Sequence, residues 1–233
     1  MIALSFYTLV LPTIKIGLEP IQRPEQLSTT LQILLLLTIL SVAPALLLML
    51  TSFVRLTVVF SILRHALGTQ QTPSNQVLIS LALFLTFFIM APTFKEVYQN
   101  AIVPYLNKEI NEEEFFKYAS EPFKKFMLKN TREKDLALFI KIRNEPRPET
   151  PEDVSMLTLI PAFMISELKT AFQIGFLLYI PFLIIDIVVS GVLVSMGILM
   201  LPPMMISLPL KLLLFVLVDG WNLLIMSLVK SFF

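Results

Sequence analysis

The chain is 233 residues long, 56% hydrophobic and only 15% charged, with no cysteine, a single histidine (His65) and a formal net charge of +1. That balance excludes disulfides, thiolate chemistry and multi-histidine or cysteine-ligated metal sites, and offers no global field for nucleic acid. Soluble domains run about 45–50% apolar and about 25% charged, so a mean hydropathy of +0.79 points to a membrane protein or a subunit of a hydrophobic assembly.

Residues 1–30 form an N-terminal segment in which the apolar "MIALSFYTLVLPTIKIG" precedes the polar "LEPIQRPEQLSTT". Two readings stand: a cleaved signal peptide without the usual positive start, or an interfacial or packed segment.

Residues 31–94 are the first hydrophobic helical region. The run 31–50 has only Gln32, Thr38, Ser41 and Pro44 outside the apolar set; it is long enough to cross a bilayer core, with a kink expected at Pro44. The stretch 52–75 follows, carrying Arg55, Arg64 and His65 and no acid, before a second long apolar run at 76–92. Uncompensated arginine puts the 52–75 connection in the cytoplasm and the next region on the extracytoplasmic side. Four crossings with both ends outside is the simplest topology, although a helix apolar all round is equally at home between subunits.

Residues 95–153 hold 23 of the chain's 35 charges, eleven basic and twelve acidic, and read as a small water-exposed helical insert. Asn111 followed by Glu114 has capping-box spacing. Glu121-Pro122 reads as a restart, Thr131 as the cap of "REKDLALFIKI", and Thr150 as an N-cap with Pro151 at the first helical position. Phe123, Phe126 and Met127, then Leu136, Phe139 and Ile140, fall at helical spacing.

Residues 154–233 are the second hydrophobic helical region. The run 154–218 is divided on paper by Pro161, Pro181, Gly191 and the stretch "LVSMGILMLPPMMISL", where Gly197 and Pro202-Pro203 interrupt a sequence rich in methionine. Met196, Met200, Met204 and Met205 are either gap-filling core residues or the lining of a cavity, where broken helices are tolerated at membrane depth. Gly191 and Ser195 have the small-xxx-small spacing of closely packed helices. A final short run follows "VDGWN".

Charges in this apolar setting are costly and must face one another, a partner or a water path. They are Glu167, Lys169, Asp186, Lys211 and Asp219. One reading is a translocation path or proton relay; the other is ion pairing that fixes helix register. Glu167 and Lys211, opposite in sign, are the pair expected to meet, within or between subunits. No phosphate loop, serine elbow or helical zinc motif is present in the sequence, so no enzyme is expected. A transporter would show inverted repeats with paired broken helices, and no matching halves are visible in the sequence. A purely structural membrane scaffold is the other rival.

"PAFMISELKTAFQIGF" (161–176) with "PFLIIDIVVS" (181–190) resembles the paired signatures of the FliP family of type III export-gate proteins, shared by flagellar and virulence systems. Residues 51–92 and 208–224 are similar to the same family, so the likeness covers both apolar halves in family order. The resemblance implies an all-α membrane protein of long kinked helical hairpins with a small helical extracytoplasmic insert. It implies a non-enzymatic, cofactor-free pore subunit passing unfolded flagellar proteins across the bacterial inner membrane at the flagellar basal body. Implied partners are further copies of the chain (a pentamer), the gate subunits FliQ and FliR, FlhB, the assembly factor FliO and the export substrates, with no nucleic acid. In the family, a methionine-rich loop before the double proline narrows the closed pore as a gasket. The matching positions are Ile198, Leu199 and Met200, with Met196 one turn earlier, so methionine is kept only in part. The resemblance also marks Glu167 and Lys211 as functional charges, joined here by Asp186 and Asp219. It marks Phe126 and Phe139 as subunit contacts of the insert.

Overall fold

A computed structural model describes residues 24–69, 71–143, 148–198 and 200–233, with part of the side chains before residue 48 left out. Residues 1–23 of the N-terminal segment, and with them the two readings of it, therefore lie outside the described residues. Every regular element among the described residues is helical, as the composition and the resemblance led us to expect.

Helix α1, Pro24–Met49, contains the expected run up to its last residue and has Pro44 inside it. Two compact units divide the chain at Pro44, one of residues 1–44 and one of residues 45–233. The second unit holds α2 (Phe53–Leu67), α3 (Asn75–Val97), a π-helical turn (Tyr98–Ile102) and α4 (Val103–Leu106). It continues with α5 (Glu112–Asn130), α6 (Glu133–Arg143), a 3-10 turn (Pro151–Asp153), α7 (Met156–Ser195), α8 (Pro203–Leu217) and α9 (Gly220–Lys230).

Helix α7 is the spine. Its 40 residues run unbroken through Pro161, Pro181 and Gly191, where division was expected. At about 1.5 Å per residue it is about 60 Å long, twice the roughly 30 Å of a hydrocarbon core. Pro161 is half-buried and Pro181 exposed in the chain, and the helix continues through both, as membrane helices tolerate where the freed carbonyls find other partners. Along α7 lies α2, whose Leu56, Val59, Phe60 and Leu63 follow helical spacing and are buried. They meet Leu78 and Ala82 of α3, Ala171 and Phe182 of α7, Phe215 of α8, and Leu224 and Leu228 of α9. The close approach expected at Gly191 falls instead at Gly175, where an added Cβ would stand 2.4 Å from Ile62 Cδ1; nothing lies within 4 Å of Gly191.

The charged segment does not build its core alone. Met127 of α5 is buried with Val154, Leu159 and Phe163, the last two from the first turns of α7. The Asn111–Glu114 capping box forms in both directions. Two local expectations are corrected. Pro122 lies inside a continuous α5 and is buried there, so packing overrides the local break. Thr131 closes α5 by donating its hydroxyl to Met127 O at 2.7 Å, and α6 starts from the carbonyl of Arg132, which accepts from Leu136 N at 3.0 Å. Thr150 and Pro151 do open a turn, capped by Asp153, but α7 begins only after Ser155.

Among the described residues, 75–106 and 156–195 are long and apolar enough to cross a membrane, and the α8–α9 pair, bent by 64°, is a third if it counts as one span. Helix α2 is not a loop between crossings. It is a packed core helix whose Arg55 is matched by an acid, whereas Arg64, the other arginine behind the cytoplasmic placement of 52–75, meets only the Asn75 amide oxygen and the Pro73 carbonyl among the described residues.

Candidate functional site

The 196–202 loop hangs between α7 and α8 by an identifiable stop and start. Gly197 adopts the left-handed conformation at φ +74°. Its N–H donates to Val194 O at 3.0 Å, and the N–H of Ile198 reaches back to Leu193 O at 2.9 Å. That pairing is the Schellman arrangement, which satisfies the last carbonyls of α7 and turns the chain sharply where a side chain would strain it. Pro202 then occupies the N-cap and Pro203 the first position of α8, where a missing N–H costs nothing.

Met196 is 66% exposed and Met200 is 96% exposed, while Ile198 is half-buried. Leu199 lies outside the described residues. Met204 and Met205 are exposed as well, so none of the four methionines of this stretch fills a gap in the core of the chain. The described part of the loop thus presents apolar side chains outward on both sides of Leu199.

Glu167 and Lys211 do not pair with each other within the chain; each finds a different partner. Glu167, 0% exposed, meets Arg55 of α2 in a two-pronged ion pair, with Arg55 Nε donating to Oε2 at 2.9 Å and Nη2 to Oε1. The same guanidinium donates Nη1 to the carbonyl and hydroxyl of Ser231, at 3.2 and 2.9 Å. Nη2 also reaches Asn130 Oδ1 at 3.4 Å, and the plane sits 3.8 Å from the Phe232 ring centre. Arg55 thus ties α2, α5, α7 and the segment after α9 at one buried point. A planar fork with five donors suits this task in a way lysine would not.

Lys211 of α8, also buried, donates to Asp186 Oδ2 of α7 at 2.6 Å and to Ala66 O of α2 at 3.0 Å. Asp186 keeps 31% of its side chain exposed. Asp219 does not join these buried charges: in the chain it is exposed. It takes a left-handed backbone at φ 50° between α8 and α9, where its Oδ2 accepts from Asn222 Nδ2 at 3.1 Å. Lys169 is exposed.

Phe126 packs inward, with its ring centre 6.0 Å from that of Phe163 and 6.1 Å from that of Phe232. Phe139 is half-buried on α6. Sequence reasoning missed a polar seam that docks α6 on α7. Ser166 donates to Asp135 Oδ2 at 2.8 Å and accepts from Arg132 N at 3.0 Å. Arg132 Nη2 donates to Thr170 Oγ1 at 3.2 Å. It also missed Arg55 as the partner of Glu167. An arginine in register with Val59 and Leu63 on the apolar face of α2 was the signal available.

Among the described residues no three His, Cys, Asp or Glu side chains are grouped to hold a metal ion. The arrangement can anchor helices and present an apolar loop.

Comparison with known proteins finds the FliP family matching residues 36–228. The chain is 57% identical over 209 residues to the flagellar biosynthetic protein FliP of Bacillus subtilis (strain 168), covering 90% of this chain and 95% of that protein. It is 54% identical over 205 residues to its namesake in Aquifex aeolicus (strain VF5), covering 87% and 86%. The Caulobacter vibrioides namesake is 55% identical over 201 residues, covering 86% and 76%.

Proposed function

The chain belongs to the FliP family, and on that premise we propose that it is a core, pore-forming subunit of the flagellar type III export gate. In this reading several copies surround one axis and pass unfolded flagellar proteins across the bacterial inner membrane. The observation that carries it is the 196–202 loop, a fixed break in an apolar hairpin that exposes Met196 and Met200 rather than burying them. Copies converging there would close the path with flexible apolar side chains, which exclude water and ions by dewetting yet part around varied chains.

The wide apolar faces fit an assembled subunit. Phe172, Phe176 and Ile187 of α7, with Phe84 and Phe88 of α3, are exposed in the chain, and other copies, FliQ, FliR, FlhB or lipid would cover them. FliO would act during assembly. The segment 95–153 would face the extracytoplasmic side at the basal body. The subunit carries no reaction of its own, and energy for transport would come from elsewhere in the apparatus. The mutually satisfied Arg55–Glu167 pair, sealed from solvent, speaks against a proton relay. Solving an assembled particle tests the reading: the 196–200 loops should converge on one axis, and loops facing outward would refute it.

A further inference from the structure

Of the loop's two flanking helices, α8 is fastened directly to the end of α2, and α7 is joined to that point through α8. Met204, Leu208 and Lys211 lie at helical spacing along one stripe of α8, and all three meet the last turn of α2. Lys211 Nζ bridges Asp186 Oδ2 of α7, at 2.6 Å, and Ala66 O, at 3.0 Å. Ala66 O is one of the closing carbonyls of α2, which have no donor from within the helix and favour a cation. Gly68 ends α2 in the left-handed conformation at φ +79°, its N–H donating to His65 O at 3.0 Å. A Cβ placed on Gly68 would lie 3.8 Å from both Met204 Cγ and Leu208 Cδ1. Thus α8 leaves the loop from a position set against residues 66–68, and α7, which enters it, is tied to the same point through Asp186 and Lys211.

We infer that the C-terminal turn of α2, residues 66–68, is the support that positions the gate loop, so that a shift of the α2–α3 turn is transmitted to the loop through Met204, Leu208 and Lys211. This rests on the gate reading proposed above and adds the element that sets the loop's place. Residues 66–68 are positioning residues; nothing passing the pore would touch them.

The test is the closed-state conductance of purified, fully assembled complex. Gly68→Asn keeps a residue that accepts a left-handed backbone but pushes an amide toward Met204 and Leu208. We expect assembly of parental size with a conductance raised several-fold, and Met204→Ala in the same chain should return most of the seal. Because the seal is read only on complex of parental size, a change that merely destabilises lowers the yield of complex and leaves the seal of what assembles intact. If Gly68→Asn does not assemble, Leu208→Ala removes the same contact from the α8 side without backbone strain, and a leak supports the support role. A tight seal in the assembled Gly68→Asn complex, or in Leu208→Ala where that decides, overturns the inference, as does failure of both to assemble. Complex trimmed at Ile198 and Met200 separates the two levels. If it leaks while the turn variants stay tight, only the support role fails; if it too is tight, the gate reading fails first.

Discussion

Arg55 and Glu167, separated by 112 positions in the chain, form a buried two-pronged ion pair that joins α2 to α7 at the point where α5 and residues 231–232 also meet. Both groups have lost their water, and the pair is tolerable because each polar atom of the fork finds an acceptor.

Breaking that pair from one side should therefore be worse than removing it whole. Glu167→Ala or Arg55→Ala leaves a buried charge uncompensated, a loss of about 3–5 kcal/mol. The double change Arg55→Ala with Glu167→Ala should cost less than the sum of the singles. Thermal unfolding of the detergent-solubilised chain and its recovery as assembled complex measure this. Strictly additive losses would show that the two side chains do not act as a pair.

Phe126 and Phe139 should separate, although both were expected as contacts between subunits. Phe126 stacks within the chain against Phe163 and Phe232, so Phe126→Ala should lower the stability of the chain itself by about 2–4 kcal/mol, somewhat below a fully buried phenylalanine. Phe139→Ser should leave that stability nearly intact and reduce recovery of oligomer. Limited proteolysis of the chain, beside native gels of the complex, distinguishes the two. Equal effects of both substitutions in both assays would contradict the assignment.

Asp153 offers a pH dependence with a definite sign. The hydroxyl of Thr150 donates to its carboxylate at 2.8 Å and the Thr150 N–H at 2.9 Å, which holds the carboxyl below its ordinary value. Because the folded value is depressed, this cap helps above the unfolded value and is lost as pH falls through the folded one. The chain has only four aspartates, so selective carbon-13 labelling can follow each. Asp153 should titrate below the usual carboxylate range, and Thr150→Val should move it upward; an unmoved titration would deny the hydroxyl its role.

Local signals were legible in the sequence and distant partnerships were not. The Asn111–Glu114 box, the stop at Gly197 and the start at Pro203 depend on residues within one turn of each other, and all three appear where spacing puts them. Thr131 and Pro122 misled because a hydroxyl can close one helix as readily as open the next, and burial can carry a helix across a proline. Arg55 was read as loop charge because its acid lies in another helix far along the chain. The same gap hid Asp186 as the partner of Lys211, and the seam of Asp135, Ser166 and Arg132. Hydropathy could not tell that α2 is a packed core helix, since burial in protein and exposure to lipid leave the same composition.

The central claim, that the 196–202 loop seals the closed path, is tested most directly by conductance. Ile198, Leu199 and Met200 should be trimmed to alanine or glycine, the complex purified at parental size, and its closed-state ion conductance measured in a bilayer. A gasket predicts complete assembly with a clear leak, because small side chains leave a gap that water can fill. A trimmed complex as tight as the parent, or one that fails to assemble and shows no leak in what remains, would contradict it.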